Sequence, residues 1–105
     1  MVDQSAQPAI HVVDCRDVLT AEQFWSRYLE VVRPSRGDMF GRNLDAFWDA
    51  VERGGPGAPD APVRFVNLAA VSKIRGGDFL AALHEIARDV TTGMVTFDDT
   101  EPTAP

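Results

Sequence analysis

The chain has 105 residues, of which 45% are hydrophobic and 25% charged, and this is enough for one compact domain with a single core. Its 16 acidic and 10 basic residues give a formal net charge of −6. This charge argues against RNA or DNA as a direct ligand, because phosphate binding depends on clustered Lys and Arg, and a basic protein is the better expected partner.

The sequence predicts a cytoplasmic protein without a cofactor. Residues 1–8 are polar and lack the basic and apolar segments of a signal peptide, and no apolar run is long enough to span a bilayer, so we expect no membrane association. Cys15 is the single cysteine, which rules out a disulfide within these residues and a multi-cysteine metal cage. We expect its thiol to be buried or half-buried near the end of a strand.

The first part of the chain predicts a strand followed by a helix. Residues 9–14 form a short, nearly continuous apolar run, which is typical of a strand covered on both faces. His11 within this run is expected to be hydrogen-bonded and partly buried, not a metal ligand. Thr20 and Gln23 have the spacing of a capping box that opens a helix, and Pro34 ends this helix because proline disfavours helical geometry at the preceding residue.

A short helix with two different faces is predicted next, after a loop over residues 35–42. Asn43 is the expected N-cap, since its side-chain oxygen can accept from a free backbone N–H of the first turn. At about 100° per residue, four apolar side chains form one stripe, and three acids line up beside it at i, i+4 and i+7. The apolar stripe comprises Leu44, Phe47, Trp48 and Val51, and the acidic stripe comprises Asp45, Asp49 and Glu52.

The acidic stripe is not explained by helix stability. Asp is a poor helix former, and like charges four residues apart repel by about 0.2–0.5 kcal/mol per pair. Residues that lower the stability of a helix without a compensating local interaction indicate a functional role. The alternative, that a solvated face of an acidic protein carries three acids by chance, stays open at this level.

The second part of the chain predicts two more strands with a helix between them. Residues 54–62 are rich in Gly and Pro, and we interpret them as a surface spacer. Residues 63–68 form the predicted second strand, followed by a brief helical turn over 69–74. Asp78 is expected to cap the last helix, and residues 94–97 form the last strand.

The order of these elements predicts an α/β fold. Parallel strands need helical crossovers, which are right-handed, so we expect a small three-stranded parallel sheet covered by helices. Residues 1–105 would form this single domain, with 1–8 and 98–105 as flexible tails.

The segment FGRNLDAFWDA, residues 40–50, closely resembles a characteristic segment of the barstar family, intracellular protein inhibitors of a secreted bacterial ribonuclease. The resemblance is specific from Asp38 to Ala50 and is a loose pattern elsewhere. It implies the same α/β order of elements around a three-stranded parallel sheet. It also implies that the protein is an inhibitor, not an enzyme, and that it forms a 1:1 complex with a basic ribonuclease.

The resemblance further implies which residues bind the partner. In the family, the acidic helix and the loop before it plug the ribonuclease cleft, and Asp49 matches the aspartate that occupies the site of an RNA phosphate. The partner-binding residues expected on this basis are Asp38, Met39, Phe40, Gly41, Asn43, Leu44, Asp45, Trp48, Asp49, Glu52 and Glu85.

Three departures from the family pattern leave the identity of the partner open. Met39 stands where a contact tyrosine is expected, Arg42 replaces an acid, and Gly54 stands at about the place of a tryptophan. The partner could therefore be a different ribonuclease, or another basic nuclease toxin for which this chain is the immunity protein. Pro62 precedes the second strand as in the family, which makes Ala61–Pro62 a candidate cis peptide.

Two functions from other classes stay open. Asp45, Asp49 and Glu52 could hold a divalent metal for phosphoryl chemistry, since hard cations take oxygen ligands. One stripe of acids on one helix rarely encloses an ion, so we predict no metal site. The second alternative is a generic interaction domain that uses the same acidic face for a partner that is not a nuclease.

Overall fold

The computed structural model describes residues 10–98, which form a three-stranded parallel sheet and three α-helices. The strands are β1 (His11–Asp14), β2 (Val63–Val66) and β3 (Val95–Asp98), in the spatial order β1-β2-β3. The helices are α1 (Ala21–Val32), α2 (Leu44–Arg53) and α3 (Asp78–Asp89), with 3₁₀ segments at Gly37–Met39 and Val71–Gly77. The predicted α/β fold is confirmed. Within residues 10–98, the helices are too short or too polar to cross a membrane.

The sheet is buried on one face and open on the other. Val13 of β1 and Phe65 of β2 are neighbours in the register and are completely buried under the helices. Val12, Arg64 and Thr96 form the next row, point to the opposite face and are exposed, with Val12 50% exposed. The prediction that the first strand is covered on both faces is therefore wrong, because the helices pack on the Phe65 face.

The last strand begins and ends one residue later than predicted, at Val95 and Asp98. Asp98 pairs with the backbone of β2 in the sheet register and forms an ion pair with Arg64 across the open face. The prediction that a flexible tail begins at Asp98 is therefore wrong at this residue. The remaining predicted tails, 1–8 and 99–105, lie outside the described residues.

An aromatic cluster fills the space between the sheet and the helices. Phe24 of α1 stacks on Phe65 with ring centroids 5.1 Å apart, and it meets Trp25 and Phe79 edge-on at 5.0 and 5.3 Å. Phe47 of α2 joins the cluster at 5.5 Å from Trp25 and 6.1 Å from Phe65. Aromatic pairs in these arrangements contribute about 0.5–1.5 kcal/mol each beyond the area that they bury. The cluster therefore sets how α1, α2 and α3 sit on the sheet.

The predicted N-cap of α1 is confirmed, and the predicted N-cap of α3 is wrong. Thr20 caps α1, its Oγ1 accepting from the Gln23 N–H at 3.1 Å, while the Gln23 side chain accepts from the Leu19 N–H at 2.7 Å. Asp78, predicted as the cap of α3, is instead its first helical residue, and Gly77 with φ of 100° is the N-cap. The reason is a left-handed kink before α3, after which Asp78 already has helical geometry.

The Gly- and Pro-rich connection between α2 and β2 is not a free spacer, because it packs on the core at Gly57, its one buried residue. The buried Tyr28 hydroxyl donates to the Gly57 carbonyl at 2.8 Å, and burial raises the pKa of Tyr28. Gly57 lies against the Phe40 ring, where an added Cβ would come within 2.6 Å of a ring carbon. The half-buried His11 pairs through Nε2 with Asp60 at 2.8 Å, which lowers the pKa of the Asp60 carboxyl. The connection is thus fastened both to α1 and to β1.

Two predictions for single residues have opposite outcomes. Cys15 is completely buried directly after β1, as predicted, and this burial raises the pKa of its thiol to about 12. The Ala61–Pro62 bond is trans, so the prediction of a cis peptide is wrong.

We expect Gly57→Ala to lower the free energy of unfolding by about 3 kcal/mol, measured by urea denaturation. Alanine at φ of 90° is strained, and its Cβ would collide with the Phe40 ring. Gly93→Ala is the matched control, because its φ is also positive, at 69°, but no atom lies within 4 Å of the added Cβ. The control should lose only about 1–2 kcal/mol from backbone strain. Equal losses for the two variants would mean that the contact with Phe40 does not matter.

Candidate functional site

The predicted site residues lie on α2, on the loop before it and on α3. Asn43 caps α2 as predicted, its Oδ1 accepting from the Ala46 N–H at 2.7 Å. Gly41 lies two residues before this cap, and an added Cβ there would come within 3.0 Å of the Ala46 Cβ. At the other end, Gly54 adopts φ of 78° and its N–H donates to the Ala50 carbonyl at 3.1 Å. Caps at both ends therefore define the length of α2.

The apolar stripe of α2 is buried along its centre and half-exposed at its edge. Phe47 and Val51 are buried in the core, while Leu44 and Trp48 are half-buried and pack against it. The Arg53 guanidinium lies over the Trp48 ring, 5.2 Å from its centroid. Leu44 and Trp48 thus keep apolar surface available beside the acidic stripe.

The five predicted site acids, Asp38, Asp45, Asp49, Glu52 and Glu85, form no ion pair within residues 10–98. Asp38, Asp45 and Glu85 are exposed, and Asp49 is half-buried. Elsewhere in the described chain, six acids are paired with arginine or histidine, namely Asp14, Asp17, Glu22, Glu30, Asp60 and Asp98. Asp78 and Asp89, at the two ends of α3, also form no ion pair within residues 10–98. The unpaired acids therefore gather on α2, on its preceding loop and on α3, which packs beside α2.

Asp49 is held in an unusual position. A Cβ built on Gly55 would lie 2.1 Å from Asp49 Oδ2 and 3.0 Å from its Cγ, so the carboxylate occupies the space that the glycine leaves free. The Gly55 N–H also donates to the Asp49 carbonyl at 3.3 Å. The carboxylate lies near the C-terminal end of α2, where the helix dipole disfavours negative charge. Because no arginine, lysine or histidine within residues 10–98 pairs with Asp49, its carboxylate is available to a cation from outside.

Glu52, the third acid of the stripe, is engaged within the protein. Its carboxylate accepts from the Thr91 backbone N–H at 2.7 Å and from the Thr91 hydroxyl at 2.9 Å. Thr92 donates its hydroxyl to the Val51 carbonyl at 2.9 Å. These bonds fasten the C-terminal end of α2 to the connection between α3 and β3, so the main role of Glu52 is structural.

Among the described residues, no three His, Cys, Asp or Glu side chains come together as a possible metal site.

The loop before α2 exposes one predicted contact residue and buries another. Met39 is 65% exposed in the 3₁₀ segment, and its thioether side chain faces solvent. Phe40 is only 5% exposed, with its ring 5.7 Å from Trp25 and 5.8 Å from Tyr28. The Phe40 ring therefore anchors the loop to the core, and only the backbone at this position lies near the surface.

Arg42 has a role that the sequence did not indicate. Its backbone is left-handed, with φ of 56°, and its guanidinium donates to the Glu22 carboxylate at 2.8 Å and to the Ser26 hydroxyl at 2.7 Å. The partners lie on α1, 20 and 16 residues away in sequence. Hydrophobic periodicity does not predict contacts between positions so far apart. The opposite charges of Arg42 and Glu22 were the only signal in the sequence for an ion pair. Arg42 thus ties the loop before α2 to α1.

Comparison with known proteins agrees with the resemblance of the acidic segment. The family model described as Barstar (barnase inhibitor) matches residues 9–101, which is almost the whole chain and includes every residue of the surface described above. A search of curated proteins found no match. The match extends well beyond residues 40–50 and covers all three strands and all three helices. The chain therefore belongs to the barstar family of barnase inhibitors.

Proposed function

We propose that this protein inhibits a ribonuclease by inserting α2 and the loop before it into the active site of the nuclease, in a 1:1 complex. The observation that carries the proposal is which acidic side chains form ion pairs and which do not. Asp38, Asp45, Asp49 and Glu85 lack an ion-pair partner within residues 10–98, whereas six acids elsewhere are paired. Membership of the barstar family supports a nuclease as the partner.

In this proposal, Asp49 mimics an RNA phosphate. A site that cleaves RNA needs cationic side chains to hold a phosphate, and a carboxylate in the same place forms charge-assisted hydrogen bonds, of which the bidentate pair with Arg is the strongest. Asp49 is half-buried and lies over Gly55, so its side chain has lost much of its freedom before binding. Such preorganisation raises affinity because less conformational entropy is lost in the complex.

We also propose that the protein is not an enzyme and acts in the cytoplasm, where the RNA to be protected is found. Glu52 is bound to Thr91, so it does not stand beside Asp45 and Asp49 as a free ligand for a catalytic metal. The partner-facing groups are then Asp45 and Asp49, the edge of Trp48, and the exposed side chain of Met39.

The test of the proposed function is a ribonuclease assay with and without the purified protein. Barnase is the first nuclease, and the next are those that the immobilised protein captures from its native host, including secreted proteins. We expect stoichiometric inhibition of at least one of them. Inhibition of a captured nuclease toxin but not of barnase would identify the protein as the immunity protein of that toxin. An unchanged rate with every nuclease would overturn the proposal.

Asp49→Ala should abolish tight inhibition without destabilising the free protein. Removing one partner of a buried charge pair costs about 3–5 kcal/mol, because the cationic groups of the nuclease are left unpaired. In the free protein, alanine improves helix propensity by up to about 0.7 kcal/mol and removes a charge that the helix dipole disfavours. Urea denaturation and inhibition titration measure the two effects.

Glu52→Ala is the matched control for Asp49→Ala, on the same helix and with the same change in charge. It should lose about 0.5–1.5 kcal/mol of stability, because the hydrogen bonds from the backbone N–H and the hydroxyl of Thr91 are lost, although water can replace them at this exposed position. Its inhibition constant should change much less than that of Asp49→Ala. If Asp49→Ala is the destabilised variant and still inhibits, Asp49 is a structural residue.

Gly55→Ala should weaken inhibition by displacing the Asp49 carboxylate. The φ of Gly55 is not in the left-handed region, so alanine fits the backbone, and the collision is with the movable end of the Asp49 side chain. We expect the free energy of unfolding to change by less than about 1 kcal/mol and the inhibition constant to rise at least about tenfold. In the Asp49→Ala background the same substitution should have no further effect on inhibition. Additive losses would show that Gly55 acts independently of Asp49.

Association with the nuclease should slow as salt is added. The unpaired acids attract a basic cleft over a distance that salt shortens to about 8 Å at physiological ionic strength. We expect stopped-flow association to be at least about tenfold slower in high salt than in low salt, with dissociation changing less. The double variant Asp38→Asn and Asp45→Asn should flatten this dependence. A flat response in the parent protein would exclude electrostatic steering.

A further inference from the structure

The contact between Arg42 and α1 joins the binding surface to the body of the protein. Arg42 Nη2 donates to Glu22 Oε2 at 2.8 Å and to Ser26 Oγ at 2.7 Å, and it lies 3.4 Å from the Glu22 carbonyl oxygen. Glu22 and Ser26 are one helical turn apart on α1. The guanidinium therefore spans one turn of a rigid helix, although Arg42 itself belongs to the loop that leads into α2.

The backbone at Arg42 needs support from its surroundings. Its φ of 56° is left-handed, which is unfavourable for a residue with a Cβ. Arg42 stands between Gly41 and the N-cap Asn43, and the backbone of Asn43 is fully extended at φ of −151°. The direction in which the chain enters α2 is therefore set at Arg42. Without the contact to α1, a right-handed or extended conformation at this residue would turn the loop away from its present path.

The contact is too exposed to contribute much to global stability. The Glu22 side chain is 75% exposed and the Arg42 side chain 33% exposed, and exposed ion pairs are weak. The buried residues Phe47 and Val51 hold α2 in place without it, and Phe40 is the one residue of the loop whose ring is buried in the core. The effect of the contact is therefore expected on the local order of the loop and not on the unfolding of the whole domain.

We propose that Arg42 is a positioning residue that holds the loop over residues 37–43 in the conformation that binds the nuclease. This inference rests on the proposed function. Arg42 directs its own charge toward α1 and away from the partner, and the held loop carries Asp38 and Met39 on the exposed side. The apparent affinity of a binding site falls in proportion to the fraction of molecules in the competent conformation. A loop that is competent in about one molecule in ten would thus bind about tenfold more weakly.

The test compares Arg42→Gln with the control Arg16→Gln in the free protein and in complex with barnase. Arg16 is also an exposed arginine in an ion pair, with Asp14 at 3.4 Å, but it lies in the loop after β1. Amide hydrogen exchange reports loop order through the hydrogen-bonded N–H groups of Met39, Phe40 and Ala46. In Arg42→Gln these amides should exchange about tenfold faster than in the control, with an unchanged midpoint of urea unfolding.

The affinity for barnase and the conservative variant Arg42→Lys provide the second part of the test. Arg42→Gln should bind barnase about tenfold more weakly than the parent, mainly through slower association, and Arg42→Lys should recover most of the protection because it keeps the charge and a donor. Loop exchange equal to that of Arg16→Gln would overturn the inference. Faster exchange with unchanged barnase affinity would overturn it as well. If the parent protein does not bind barnase, the binding comparison is made with the nuclease that it captures from its native host. Failure to bind any nuclease would count against the proposed function, and the exchange result would then decide the inference about Arg42.

Discussion

The packing of Phe47 controls the orientation of α2, and the proposed binding surface depends on that orientation. The Phe47 ring is completely buried and lies 5.5 Å from Trp25, 5.5 Å from Tyr28 and 6.1 Å from Phe65. A helix that is held by one large side chain on this face cannot rotate about its axis without opening a cavity in the core. The side chains two positions before and after Phe47, Asp45 and Asp49, are consequently directed away from the sheet.

The acidic side chains that form ion pairs lie in different parts of this protein from the acidic side chains on α2. Six acids outside the proposed binding surface are paired with arginine or histidine, as in the contacts of Asp17 and Glu30 with Arg27. The acids on α2 face no cation within residues 10–98, and Asp49 lies near the unfavourable end of its own helix. Two acids that lower the stability of α2 thus lie on the helix that the proposed function assigns to binding. This is the pattern expected of a surface that is completed only in a complex.

Two loops that are far apart in the sequence cooperate in holding this surface. The connection after α2 supplies Gly57, which leaves room for the Phe40 ring of the loop before α2, and Gly55, which leaves room for the Asp49 carboxylate. Tyr28 fastens the same connection to α1 through the Gly57 carbonyl. The absence of a Cβ at Gly57 is therefore needed for the packing of the core, and its absence at Gly55 is needed for the position of the Asp49 carboxylate. Arg42 adds a separate attachment of the first loop to α1.

The sequence by itself determined the order of the elements, the parallel sheet, the caps Thr20 and Asn43, and the acidic stripe of α2, because hydrophobic period and capping are local properties. Tertiary structure decided which face of the sheet is open, that Glu52 is bound to Thr91, and that Arg42 is bound to Glu22. These partners are 39 and 20 residues apart, and a spacing pattern carries no information about contacts at such separations. The sequence could identify the acids on the helix, but only packing decided which of them were left without a partner.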